Sequence, residues 1–126
     1  MRKPIASAIV AMTLFAPGAV HAQQVGDWVL SRWQSSAHYF PGVIIARSGN
    51  TVTIEFDDSA RETRLVRDVR PYNWTTGSRI ECRWTDGNWY AARILMMGDD
   101  GTSLLVRYVD DGVEQRTKTG SCRSTG

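Results

Sequence analysis

Short segments in which apolar and polar residues alternate run along the chain, separated by turn-forming residues. In segment 51–56, Val52, Ile54 and Phe56 occupy every second position, as in a strand with one buried face. Asp, Asn, Gly and Ser cluster between such segments, where tight turns are expected. Beyond the first 22 residues, no helical period extends over three turns. The pattern predicts strands at 27–33, 39–47, 51–56, 61–66, 68–70, 78–84, 88–97, 103–109, 113–118 and 121–123.

The second half of this pattern repeats the first. An offset of 51 residues places Gly26 on Gly77 and Trp33 on Trp84, and the match continues through the third strand after small shifts in the turns. A self-match of this length indicates repeated structural units. Five short strands in about fifty residues favour a small closed barrel, which leaves no long exposed edge. We expect an all-β protein with two tandem five-stranded barrels, at 23–72 and 73–126.

The N-terminal segment has the pattern of a secretory signal peptide. Arg2 and Lys3 precede an apolar run at 5–20, and small residues lead to a plausible cleavage position before Gln23. The run is too short and wrongly flanked for a membrane-spanning helix. We therefore expect residues 1–22 to be removed, leaving a periplasmic or secreted protein with no membrane span in its mature form.

The charge balance changes once the signal is set aside. The full chain carries 15 basic and 13 acidic residues, but two of the basic ones lie in the predicted signal, which leaves 13 against 13. A neutral chain lacks the broad positive field that non-specific nucleic-acid binding requires, which argues against a nucleic-acid partner. All mature basic residues except Lys118 are Arg, the residue suited to bidentate pairing with acids.

Four arginines, Arg61, Arg64, Arg67 and Arg70, lie at intervals of three at the end of the first half. A pair of strands is expected to scatter them over both faces, as a solvated and salt-bridged surface. The alternative is a groove for an anionic ligand.

The two cysteines, Cys82 and Cys122, are predicted to form a disulfide. An even cysteine count in an exported chain favours a disulfide over a metal site or a catalytic thiol. Cys82 lies on the first predicted strand of its half and Cys122 on the last, and these strands can be neighbours in a closed barrel. The first half has Ser31 and Val69 in the matching places, so it is expected to close without a covalent link.

Catalytic chemistry finds little support in the sequence. The predicted mature chain has one histidine, His38, which is expected to be a solvated turn residue, and no Ser or Cys nucleophile stands at a matching spacing. The Asp-Asp pairs lack the ligand alternation of a calcium loop and are typical of turns. We expect a non-enzymatic protein with no catalytic residues, metal or cofactor.

The segment 71–77 joins the two halves and carries Tyr72 and Trp74. Aromatic rings of this size are costly to leave in water. We therefore expect the two barrels to pack against each other. Residues 124–126 are expected to form a frayed tail.

The repeated residues resemble the Tudor family in a tandem arrangement. The resemblance rests on a glycine followed by a hydrophobic strand ending in Arg-Trp, and on a second strand that opens Tyr-Phe-Pro-Gly or Trp-Tyr-Ala-Ala. A third strand then ends in an aromatic residue close to Asp-Asp. The two copies of the pattern together cover nearly all of residues 25–123. The resemblance implies SH3-like barrels, and many Tudor domains bind methylated Lys or Arg in an aromatic cage.

Carried over to this chain, the resemblance implies three aromatic walls and one carboxylate in each barrel. In the first barrel these are Trp33, Phe40, Phe56 and Asp58. In the second they are Trp84, Tyr90, Tyr108 and Asp110, with Asp111 as the alternative acid. Ala60 and Val113 stand where caged members often have a further aromatic, so each cage is expected to be open on one side. The alternative is that these tryptophans are half-buried packing residues and that the third-strand aromatics fill the barrels.

The leading hypothesis is a binding module for a cationic or methylated side chain, or for a peptide, of a partner protein. Aromatic faces attract such cations, and a nearby carboxylate adds charge complementarity. One alternative is a cell-wall or glycan-binding module, because aromatic rings also stack on sugars. Another is a structural role in envelope assembly, with the aromatics buried between the barrels.

Overall fold

The computed structural model describes residues 24–34 and 36–125. The predicted signal peptide lies outside these residues. Within the described range, ten strands and two short 3-10 turns form two antiparallel five-stranded sheets. Each end of every predicted strand lies within one residue of the observed end. No helix in this range is long and apolar enough to cross a membrane.

The first barrel is formed by a sheet in the order β4-β3-β2-β1-β5. Its strands are β1 (Trp28–Arg32), β2 (Tyr39–Ser48), β3 (Thr51–Phe56), β4 (Arg61–Leu65) and β5 (Val69–Pro71). A 3-10 turn, Val66–Asp68, links β4 to β5. Burial alternates strictly along β3, as its sequence pattern predicts.

The second barrel repeats the first strand for strand, in the order β9-β8-β7-β6-β10. Its strands are β6 (Arg79–Arg83), β7 (Trp89–Met97), β8 (Ser103–Tyr108), β9 (Glu114–Lys118) and β10 (Cys122–Arg123). A 3-10 turn, Thr119–Ser121, links β9 to β10. The predicted class, two tandem five-stranded SH3-like barrels, is confirmed.

The two copies agree in local detail. Each long second strand has a break in register at the same place, between Ile44 and Ala46 in β2 and between Ile94 and Met96 in β7. Such a bulge bends a strand and increases its twist, which curls the sheet over its core. The amide of Gly26 donates to the carbonyl of Ile44 at 2.8 Å, and the equivalent bond in the second barrel is 2.7 Å.

The first strand of the first barrel is buried on both faces. Val29 points into its own barrel, where it packs with Ile44, Ile54 and other apolar residues. Leu30, its neighbour, belongs instead to the core cluster of the second barrel, together with Trp74 from the linker. Successive side chains of a strand point to opposite faces, so β1 is both a core strand and an interface strand. The prediction that the barrels pack together is confirmed.

Two further contacts hold the barrels together. The backbone of Tyr39 makes two hydrogen bonds with Ser124, at 2.7 and 2.9 Å. The expectation of a frayed tail is therefore wrong at Ser124, which is buried and pairs with the first barrel. His38 is half-buried with Nε2 3.4 Å from a carboxylate oxygen of Glu81, so it is an interface residue and not a solvated one.

The predicted disulfide between Cys82 and Cys122 is confirmed. The two residues face each other on β6 and β10, with Cα atoms 4.1 Å apart, and both are fully buried. The first barrel pairs Ser31 with Val69 at the equivalent place, so its first and last strands are joined without a covalent link.

Candidate functional site

The second barrel forms a pocket from three aromatic side chains at one end of the sheet. Trp84 follows β6, Tyr90 lies in β7 and Tyr108 ends β8. The Trp84 and Tyr108 ring centroids are 5.5 Å apart at an interplanar angle of 85°, and those of Tyr90 and Tyr108 are 6.2 Å apart at 88°. Tyr108 is buried and forms the floor, while the other two are half-buried walls of a cavity of about 280 Å³. We call this the second pocket.

Three carboxylates surround the second pocket. Its lining consists of the three aromatics with Asp86, Asp110, Asp111 and Val113, and it contains no Arg or Lys. Asp111 accepts a hydrogen bond from the amide of Val113 at 3.0 Å. Asp58 does the same for Ala60 in the first barrel, so Asp111 is the structural equivalent of Asp58. No hydrogen bond to the Asp110 carboxylate occurs among the described residues, which leaves it available at the rim.

Asp86 and Tyr90 form a hydrogen-bonded pair at the edge of the second pocket. The Tyr90 hydroxyl donates to Asp86 Oδ2 at 2.6 Å. This bond, together with one from the amide of Asn88, lowers the pKa of the Asp86 carboxyl. Burial raises the pKa of the Tyr108 hydroxyl, and the charges of Asp86 and Asp111 add to that effect. The pocket is therefore a site of negative potential with an aromatic floor.

The first barrel forms the equivalent first pocket, of about 270 Å³. The Trp33 and Phe56 ring centroids are 5.5 Å apart at 88°, which matches the pair in the second barrel. Phe40 forms a further wall, and Asp57 and Asp58 supply carboxylates. Burial raises the pKa of the Asp57 carboxyl, and a hydrogen bond donated by the Thr119 hydroxyl across the barrel interface offsets part of that rise.

The second barrel completes the first pocket. Trp89 contacts Phe40 with ring centroids 6.1 Å apart at 79°. The guanidinium carbons of Arg83 and Arg123 lie 4.8 and 4.2 Å from the Trp89 centroid, and both arginines line the pocket. The neighbouring barrel thus adds an aromatic edge and two cations to the first pocket. That the cage is open at Ala60 stays a prediction.

All eight predicted site residues line one of the two pockets. The structure brings Trp33, Phe40, Phe56 and Asp58 together in the first, and Trp84, Tyr90, Tyr108 and Asp110 in the second. Their role in binding stays a prediction. Among residues 24–34 and 36–125, no three His, Cys, Asp or Glu side chains come close enough together to hold a metal ion.

Sequence reasoning missed Asp57, Asp86 and Trp89, as well as the two arginines that stack on Trp89. Asp86 had a detectable signal, because it lies in the turn between Trp84 and Tyr90, four residues before the tyrosine it binds. Trp89 had none, since its contact with the first pocket depends on how the barrels pack.

Comparison with known proteins supports the fold. No protein-family model matches the chain, and no curated protein matches it. The solved structure of the Crb2 tandem tudor domains is similar with a TM-score of 0.55 at 9% identity, over 89% of this chain and 82% of that one. The AGDP1 AGD34 structure from Arabidopsis thaliana is 14% identical over 84% of each chain, with a TM-score of 0.43. The likeness to the Crb2 tandem tudor domains shows that the fold is a tandem Tudor-like one.

Proposed function

We propose that this protein is a non-enzymatic binding module that recognises a cationic, methylated side chain of a partner protein or peptide. The observation that carries the proposal is the second pocket, where Trp84, Tyr90 and Tyr108 converge with three carboxylates and no basic residue. A methylated ammonium or guanidinium is attracted to aromatic faces by about 0.5 to 2 kcal/mol per contact, depending on desolvation.

The second pocket is the better cation site of the two. In the first pocket Arg83 and Arg123 offset the charges of Asp57 and Asp58, and their guanidiniums already occupy space beside Trp89. In the part of the chain that the structure describes, no arginine stacks on the aromatic walls of the second pocket. We expect a methylated cation to enter the second pocket first.

An NMR titration tests the proposal. A peptide with trimethyl-lysine, and one with dimethyl-arginine, should shift the indole resonance of Trp84 in a saturable way, whereas the unmodified lysine peptide binds several-fold more weakly. Asp110→Asn should weaken binding about threefold, because it removes one rim charge. Asp99→Asn is the matched control, since Asp99 lies in an exposed turn outside the pocket. Equal effects of the two substitutions, or no shift of Trp84, would reject the proposal.

We place the partner outside the cytoplasm, in the periplasm or beyond. The predicted signal peptide and the disulfide support this location, because disulfides persist in oxidising compartments. A pull-down on isolated cell wall separates a protein partner from a glycan one. Retention on cell wall that Tyr90→Ala abolishes, by a protein whose Trp84 resonance does not respond to either methylated peptide, would favour the cell-wall alternative over the proposed function.

A further inference from the structure

An aromatic ring at the start of β2 carries two arginines. The guanidinium carbon of Arg70, on β5, lies 4.4 Å from the centroid of the Tyr39 ring, and that of Arg32, on β1, lies 5.5 Å from it. Tyr39 itself is buried, so its ring is a fixed platform. Stacking on an aromatic face orients a guanidinium while leaving its N–H groups able to bind an anion.

The second barrel contains the same arrangement, with one difference. Arg83 and Arg123 stack on Trp89 from the equivalent strands. There Arg123 is paired across the strands with Glu81, whose carboxylate lies 2.9 Å from Arg123 Nε. In the first barrel the residue opposite Arg70 is Leu30. The first barrel therefore keeps two stacked arginines and lacks an equivalent of the carboxylate that pairs with Arg123 in the second.

Further arginines converge on this stack. A cavity of about 310 Å³ is lined by Arg32, Tyr39, Arg64, Arg67, Asp68 and Arg70, which we call the arginine cavity. Three of the four regularly spaced arginines, Arg64, Arg67 and Arg70, therefore share one cavity, which favours the groove alternative for this part of the chain. Arg61 alone stays apart, paired with Glu55 at 3.0 Å.

The arginine cavity carries more positive than negative charge, because four arginines line it against one carboxylate, that of Asp68. Arg64 is held by the carbonyl of Gln34 at 3.2 Å and lies 3.6 Å from a carboxylate oxygen of Glu62. Among the described residues, no carboxylate lies within ion-pair distance of Arg32, Arg67 or Arg70. Like charges gathered in one cavity repel each other, so an anion that binds there gains from all of them.

We propose that the arginine cavity binds a compact, multiply charged phosphate group, such as a phosphate monoester or a pyrophosphate. The planar fork of Arg matches phosphate oxygens in two parallel hydrogen bonds. A single carboxylate would neutralise only one of the cations, whereas a phosphate group with two or more charges neutralises several. An extended nucleic-acid backbone fits less well, because the predicted mature chain is neutral and offers one concave cluster instead of a basic track.

Isothermal titration calorimetry with pyrophosphate tests this site. At constant ionic strength we expect saturable binding. Arg67→Gln and Arg70→Gln should each weaken it at least about tenfold, because each variant loses one charge-assisted hydrogen bond. Arg67 is exposed and makes no described contact, so its replacement should leave the melting temperature unchanged. Arg61→Gln is the matched control, with the same charge change in the same barrel but outside the cavity, and should retain affinity within about twofold.

The outcomes separate the sources of the phosphate. Binding to phosphatidylcholine vesicles that contain phosphatidic acid, displaced by pyrophosphate, would support the site and identify a lipid headgroup. Binding of pyrophosphate without binding to such vesicles would support the site with a soluble phosphate ligand. Equal weakening by Arg61→Gln and Arg67→Gln, no saturable binding of pyrophosphate, or tighter binding of a single-stranded oligonucleotide than of pyrophosphate would overturn the proposal.

Discussion

Phe40 of the first barrel and Trp89 of the second lie with ring centroids 6.1 Å apart, edge to face. The first pocket is therefore shared between the barrels, whereas the second pocket is built from the second barrel alone. The two pockets thus have equivalent aromatic floors, Phe56 and Tyr108, and different charge. The charge of the two pockets differs because Arg83 and Arg123 of the second barrel pack against the first pocket, on the side formed by Phe40.

Replacing Arg83 should make the first pocket a better cation site. Arg83→Gln removes one positive charge from its lining, and a unit charge about 7 Å away in water contributes about 0.6 kcal/mol. We expect the affinity of the first pocket for trimethyl-lysine to rise about threefold, measured by NMR shifts of the Trp33 indole. The second pocket should be unaffected. Arg79→Gln, an exposed residue on the same strand, is the control, and an equal rise in that variant would contradict the assignment.

The Tyr90 to Asp86 hydrogen bond sets a pH dependence. Because this bond lowers the pKa of Asp86, its contribution to stability is complete above the ordinary pKa of 3.8 and is lost as the pH falls through the lower folded value. Tyr90→Phe keeps the ring but removes the donor, so the pKa of Asp86 should rise towards 3.8, as carboxyl NMR titration can measure.

Asp100 provides the internal control for this titration. Hydrogen bonds from Ser103 and Thr102 hold its pKa at about 2, in a turn that does not line the second pocket. Its titration should be the same in wild type and in Tyr90→Phe. If the pKa of Asp86 stays low in the variant, the tyrosine is not its main partner.

The strands were predictable because apolar and polar residues alternate along them, as in β3, and because the same pattern occurs in both halves of the chain. The tryptophan walls of the pockets were predictable for the same reason, since Trp33 and Trp84 stand at the ends of equivalent strands. The packing of the barrels was not predictable in detail. Ser124 and His38 are polar, and the alternation of apolar and polar residues along a strand does not indicate that the other barrel covers them.

Removing the disulfide should destabilise the protein strongly. The bond between Cys82 and Cys122 spans 40 residues, and in the chain-entropy model a loop of this length contributes about 4 kcal/mol. We expect the double variant Cys82→Ala with Cys122→Ala to lose about that free energy of unfolding in urea. The amide of Ser124 should also exchange faster, because β10 holds it against Tyr39. Reduction of the wild type should reproduce both effects. A loss of less than about 1 kcal/mol in the free energy of unfolding would contradict this role of the disulfide.

Trp28 of the first barrel is seated against Gly101 of the second. A Cβ placed on Gly101 would lie only 2.4 Å from Trp28 Cη2, and Gly101 has a φ of +79°. Gly101→Ala therefore adds both backbone strain and a clash with the ring. Gly112 separates these effects, because it has a φ of +74° and nothing within 4 Å of a Cβ placed on it.

We expect Gly112→Ala to lower the free energy of unfolding by about 1 kcal/mol, the cost of a left-handed backbone for a residue with a side chain. Gly101→Ala should cost about 1 to 3 kcal/mol more, because the Trp28 ring must leave its place between Gly101 and Tyr72. Urea unfolding measures both. In a Trp28→Ala background, Gly101→Ala should cost no more than Gly112→Ala costs in the wild type, since the clash has lost its partner. If the excess persists in the double variant, or if the two glycine substitutions cost the same, Trp28 does not link the barrels in this way.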